Sequence, residues 1–81
     1  MEHMEIYTAE WCGTCDIMKT RAAHVALIKR MKLKTINVDE NPERAAEMNV
    51  KSIPTLLVVS DDEATHRFIG VVGEKELRRE I

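Results

Sequence analysis

Stretches that favour strands and stretches that favour helices alternate along nearly all of this 81-residue chain, and that alternation limits the folds open to it more than any other feature. Met4 to Thr8 carries Ile6 and Tyr7 in an alternating pattern and predicts a short strand running into Ala9-Glu10-Trp11. From about Gly13 to Met31 good helix formers place Met18, Ala22, Val25 and Ala26 at helical spacing. Asp16 stands in the first turn and Lys29 and Arg30 in the last, which predicts one helix of about 28 Å. Thr35 to Val38 is mostly β-branched and predicts a second strand; Asn41 as N-cap and Pro42 at the first helical position then open a short helix through Ala45 and Met48. Thr55 to Ser60 is nearly all apolar, the pattern of a central strand covered on both faces. The polar run Ser60-Asp61-Asp62-Glu63 turns it into Ala64 to Ile69 as a hairpin, and Gly73 caps a last helix with Glu74 and Glu76 early and Arg78 and Arg79 late.

The predicted order is β-α-β-α-β-β-α. Two strand-helix-strand units call for parallel strands with right-handed crossovers, and the hairpin adds an antiparallel edge. The expected fold is α/β: a four-stranded mixed sheet in the order 2-1-3-4, with three helices covering both faces. Repeats, low-complexity tracts and long linkers are absent, so residues 1–81 read as a single domain, with Met1 to His3 expected to be a cloning remnant or a flexible terminus. A chain of this length buries only about 60% of its unfolded surface, so its chemistry must rest on a few residues.

Apolar residues at 44% and charged residues at 32% argue against disorder, and a net charge of −2 argues against phosphate-backbone binding and hence against nucleic acid as a partner. The longest uninterrupted apolar run, Leu56 to Val59, is far short of the roughly 20 residues that cross a bilayer, and no charged-then-apolar leader is seen. A soluble, cytoplasmic, monomeric protein with no membrane partner is expected.

Cys12 and Cys15 are the only cysteines. A crosslink across so short a span removes little chain entropy, so the pair reads as functional rather than structural. Cys12 falls where a strand ends and Cys15 in the first turn of the next helix. Unpaired backbone N–H groups and the positive end of the helix dipole converge there and stabilise a thiolate. A thiol that ordinarily titrates near 8.5 is commonly brought to roughly 3.5 to 7.5 in such a place. Cys12 is therefore the candidate nucleophile, and Cys15, one turn away, can resolve a mixed disulfide formed on it without any cofactor or metal. Burial of both thiols as small hydrophobes is one alternative. Zinc is the other, with ligands to be added from His3, His24 and His66, each of which reads singly as a solvated surface residue.

Ala9-Glu10-Trp11-Cys12-Gly13-Thr14-Cys15 resembles the active-site loop of thioredoxins, whose usual form is Ala-Glu-Trp-Cys-Gly-Pro-Cys. Asn37-Val38-Asp39-Glu40-Asn41-Pro42, Val50-Lys51-Ser52-Ile53-Pro54-Thr55-Leu56-Leu57 and Phe68-Ile69-Gly70 resemble further landmarks of that family, in order and at compatible spacing. The chain starts at the strand before the cysteines and is similar to the compact, glutaredoxin-sized thioredoxins of archaea and phages. The resemblance implies that Cys12 attacks and Cys15 resolves. It implies a cis Ile53–Pro54 bond facing the site, and a substrate groove formed by Trp11, Gly13, Thr14, Ile53, Pro54 and Gly70, with Gly70 allowing close backbone approach. Trp11, the only tryptophan, is expected to be exposed beside the reactive thiol.

Three departures from the family pattern matter. Ile6 stands where thioredoxins bury an aspartate that shuttles the resolving thiol's proton, and Thr35 stands at the partner lysine position, so water or Glu10 must accept that proton. Asp16 replaces a common lysine and opposes thiolate formation, and Thr20 replaces the helix-kinking proline. Thr14 replaces the proline between the cysteines and predicts a couple more oxidising than the roughly −270 mV of thioredoxin. Equilibration with glutathione or dithiothreitol buffers checks this, and a potential at or below thioredoxin's contradicts it.

The leading expectation is a dithiol-disulfide oxidoreductase that reduces protein disulfides, ribonucleotide reductase among them by family analogy, and is itself reduced by a thioredoxin-reductase-type donor. A glutathione-dependent glutaredoxin ranks second, because Val71-Val72-Gly73-Glu74 lacks the Gly-Gly and Asp pattern with which glutaredoxins commonly bind glutathione. An oxidase or isomerase ranks third. A non-catalytic metal-binding or interaction module is the alternative from another class.

Overall fold

The computed structural model describes residues 1–81. Seven elements follow the chain: β1 Glu2–Thr8, α1 Cys15–Lys29, β2 Lys32–Asn37, α2 Pro42–Glu47, β3 Thr55–Ser60, β4 Glu63–Ile69 and α3 Glu74–Glu80. The sheet order is β2-β1-β3-β4, the order expected. β1 begins at Glu2, ahead of the predicted Met4, because Glu2 and His3 pair with Ser60 and Val59 of β3. β2 begins at Lys32, three residues early, because Lys32 to Lys34 pair with His3 to Glu5 of β1. Lysines on an edge strand read as loop in the sequence but keep the edge from pairing with other chains.

Only β1 and β2 are parallel; β3 runs antiparallel to β1 and pairs antiparallel with β4. The expectation of two parallel strand-helix-strand units therefore holds for the first and fails for the second. α2 has six residues, about 9 Å, whereas a six-residue strand runs about 20 Å. The helix carries the chain only part of the way down the sheet, and residues 48–54 bring it back, so β3 starts beside the end of β1, with Thr55 opposite Tyr7. This return sets Ile53–Pro54, a cis peptide, at the same edge of the sheet as the turn after β1. Asp61 and Asp62 both have positive φ, as a two-residue hairpin loop between twisted strands requires.

Two cores sandwich the sheet. Met4 and Ile6 of β1 and Leu56 and Val58 of β3 pack with Met18, Ala22, Val25 and Ala26 of α1 and Leu77 of α3. Tyr7, Leu57 and Val59 face the other way and pack on Ala45 and Met48, at α2 and its end. Glu5 lies on this second face and is only 1% exposed. Arg44 Nη2 donates to Glu5 Oε2 at 2.7 Å, the Tyr7 hydroxyl donates to Glu5 Oε1, and His3 Nε2 lies 2.6 Å from Oε2. His3 is thus held at the sheet rather than solvated. Burial pushes the Glu5 carboxyl up, but hydrogen bonds from Arg44, Tyr7 and His3 and the Arg44 charge outweigh burial and bring it from 4.5 down to about 2. Burial beside the Glu5 carboxylate moves the Tyr7 phenol upward. This cluster fastens α2, and with it the loop leading to Pro54, to the central strand.

Candidate active site

β1 ends at Thr8 and α1 begins at Cys15, so residues 9–14 form the turn that carries the chemistry. Cys12 N–H donates to the Ala9 carbonyl at 3.1 Å and Cys15 N–H to the Cys12 carbonyl at 3.3 Å. These bonds fold the turn back over the start of the helix. Cys12 and Cys15 are joined by a disulfide with Cα atoms 5.5 Å apart. Cys15 is 1% exposed while Cys12 is half-buried, so the two sulfurs differ in access.

Thr14 occupies the N-cap position of α1, yet its side chain makes no capping bond. Its hydroxyl lies instead 3.7 Å from Cys12 Sγ. Sequence reasoning placed Thr14 among groove residues; the structure sets it against the sulfur, where a hydroxyl can donate to a thiolate and favour the charged form. Unpaired N–H groups at the start of α1 act in the same direction.

Trp11 is 71% exposed, and its indole Nε1 donates to Asp39 Oδ2 at 2.9 Å. Asp39 lies in the loop between β2 and α2. The bond ties the cysteine turn to that loop and aims the ring along the surface. Trp11 and Ile53 line one open groove with Val38, Val50, Lys51 and Ser52. Gly70 follows β4, and its N–H donates to the Pro54 carbonyl at 2.8 Å, so the structure brings Pro54 and Gly70 together. Gly70 has φ +83°, and apart from its two chain neighbours no residue comes within 4 Å of where a Cβ would stand. Its backbone conformation, not internal crowding, calls for glycine. Gly13 lies in the exposed turn with equally open space around it; neither Gly13 nor Thr14 lines the Trp11–Ile53 groove.

Ile6 is fully buried in the apolar core, and Thr35, opposite it on β2, is exposed. The face behind Cys15 therefore carries no carboxylate at that depth. Glu10 lies in a polar cavity bounded also by Thr8, Asp16, Lys19, Thr35 and Asn37, with Lys19 Nζ 3.3 Å from Asp16 Oδ1. Thr20 Oγ1 donates to the Asp16 carbonyl at 3.1 Å. No cluster of three or more His, Cys, Asp and Glu side chains is arranged to hold a metal ion. His24 contacts Glu74 at 2.7 Å and His66 stacks on Phe68. No helix is long and apolar enough to cross a membrane.

Sequence reasoning missed the Trp11–Asp39 bond and the Glu5 cluster. Asp39 stood in one of the quoted landmarks, but nothing local signals a partner 28 residues away.

Residues 3–81 match the family model described as Thioredoxin. A thioredoxin of Mycobacterium tuberculosis is 34% identical over 77 residues, covering 93% of this chain and 66% of that protein. The chain thus spans slightly less than two thirds of that relative. The bifunctional thioredoxin reductase/thioredoxin of Mycobacterium leprae is 32% identical over 77 residues, covering 93% of this chain and 17% of that protein. Among solved structures, a thioredoxin variant from Halobacterium salinarum superposes with a TM-score of 0.89 at 28% identity, covering 99% of this chain and 71% of that one.

Proposed function

The chain belongs to the thioredoxin family, and from that premise we propose that it reduces protein disulfides through the Cys12–Cys15 dithiol, with Cys12 attacking and Cys15 resolving. The observation that carries this reading is the asymmetry of the two sulfurs: Cys12 is partly open beside an exposed tryptophan, and Cys15 is shut behind it.

In the reduced protein the Cys12 thiolate attacks one sulfur of a substrate disulfide. The substrate S–S bond breaks, its second sulfur leaves as a thiolate and takes a proton, and a mixed disulfide remains on Cys12. Cys15 then loses its proton and attacks Cys12 Sγ, expelling the first substrate sulfur. Two electrons pass to the substrate, and the Cys12–Cys15 disulfide is restored. In this cycle the sulfurs do all the chemistry, so no cofactor is called for. The acceptor for the Cys15 proton is solvent or Glu10, since Ile6 offers none.

Trp11, Gly13, Thr14, Ile53, Pro54 and Gly70 form the surface on which the substrate chain rests in this reading. The electron donor is a thioredoxin-reductase-type enzyme, a choice supported by the Mycobacterium leprae relative, which is named for both activities. Recipients are disulfide-bearing proteins, of which ribonucleotide reductase is one by analogy, met by a monomer in the cytoplasm.

Cys15→Ser tests the division of labour. The variant keeps the nucleophile but cannot resolve, so it should accumulate one equivalent of mixed disulfide with reduced-and-reoxidised insulin chains, visible by mass on nonreducing gels and released by dithiothreitol. Trapping by Cys12→Ser instead would reverse the two roles.

A further inference from the structure

The cysteine turn sits between two surfaces of opposite charge. On one side of Trp11 an open cavity is lined by Glu10, Asp39 and Glu40 with no cation. On the other, the Trp11–Ile53 groove continues through Lys51 and Ser52, which it shares with a second cavity of about 190 Å³ lined also by Asn49, Thr55, Arg67 and Ile69. Lys51 and Arg67 are the only charged residues lining these two cavities, and neither takes part in any of the ion pairs of the chain; Arg67 also borders a further cavity lined by Glu47, Asp62 and Glu63.

Arg67 is also held in place. Its Nη2 donates to the Met48 carbonyl at 2.8 Å and its Nη1 to the Asn49 carbonyl at 3.3 Å. Two carbonyls orient the guanidinium without neutralising it, and three of its five N–H donors are left for another acceptor. In a chain of net charge −2, an anionic substrate is repelled overall, so two cations outside every ion pair, along the groove that starts at Trp11, create a local exception.

Resting on the reductase reading above, we infer that Lys51 and Arg67 are specificity-determining residues that select polypeptide disulfides flanked by a carboxylate. The acidic wall of Glu10, Asp39 and Glu40 turns the same carboxylate away from the opposite side. The bound segment is thereby oriented: its acidic flank lies toward Lys51 and Arg67, and a neutral or basic flank lies toward Asp39.

The test uses the wild-type protein and short disulfide-linked peptides that carry Glu, Ala or Lys two residues before or after the reacting cysteine. Glu on one flank should raise kcat/KM about three- to tenfold over Lys, and the same Glu on the other flank should not. The preference should collapse at about 0.5 M salt, where screening is strong. Lys51→Glu should invert the Glu-to-Lys ratio, and Arg67→Gln should lower it. Equal rates for all flanks, or a preference that survives high salt, would overturn the inference while leaving a reductase in place. Reduction of no peptide at all would overturn both the reductase reading and this one.

Discussion

Cys12→Ser should abolish disulfide reduction, with turnover of insulin falling at least about 1,000-fold, because no other thiol can reach a bound disulfide. Cys15 is 1% exposed and cannot take over. The loss does not come from breaking the crosslink, since Cys15→Ser breaks the same bond and should still make one round of mixed disulfide. Turnover by Cys12→Ser above a few per cent of wild type would mean that the chemistry lies elsewhere or that the chain acts as a binding module.

Arg44→Ala should produce the largest loss of stability among single surface-accessible substitutions. Glu5, buried in the central strand, would keep its bonds to Tyr7 and His3 but lose the cation that balances its charge. Stranding a buried charge costs about 3 to 5 kcal/mol in general; the surviving bonds and the partial exposure of Arg44 bring the expected loss to about 2 to 3 kcal/mol. Urea denaturation at neutral pH should show it as a lower midpoint with an unchanged slope. Arg44→Ala combined with Glu5→Leu should recover much of the loss, because the stranded charge is gone.

The pH dependence separates this account from simple loss of packing. Glu5 falls from 4.5 to about 2 on folding, so its stabilisation is complete above about pH 4.5 and disappears as the pH drops towards 2. A shift of this size amounts to about 3 kcal/mol. In Arg44→Ala burial acts with less opposition, and the loss of stability on acidification should shrink. If wild type and Arg44→Ala lose stability equally between pH 5 and 2.5, Glu5 is not the group responsible.

The contrast between Cys12 and Glu5 explains what was legible in the sequence. A Cys-X-X-Cys pair at a strand-helix junction announces itself because its chemistry depends on residues three apart in the chain and on a helix start that local propensity predicts. Strand order followed from the alternation of elements and the hairpin turn at Asp61 and Asp62. Glu5 gave the opposite impression: between Met4 and Ile6 an acidic residue reads as the solvent-facing step of an amphipathic strand. β1 is covered on both faces, and the partner that makes a buried carboxylate tolerable lies 39 residues away on α2. The direction of β3 was hidden for a related reason, since it depends on how far a six-residue helix carries the chain. Trp11 was readable as exposed, but the Asp39 acceptor that aims it depends on the fold bringing two loops together.

The most direct measurement of the central claim is insulin-disulfide reduction by the purified protein, coupled to NADPH oxidation through thioredoxin reductase in one arm and through glutathione and glutathione reductase in the other. Sustained, Cys12-dependent NADPH oxidation in the thioredoxin-reductase arm and little in the glutathione arm is the predicted result. Activity confined to the glutathione arm would contradict the assignment of the electron donor. Absence of turnover in both, with dithiothreitol also failing to drive reduction through the protein, would contradict the reductase itself.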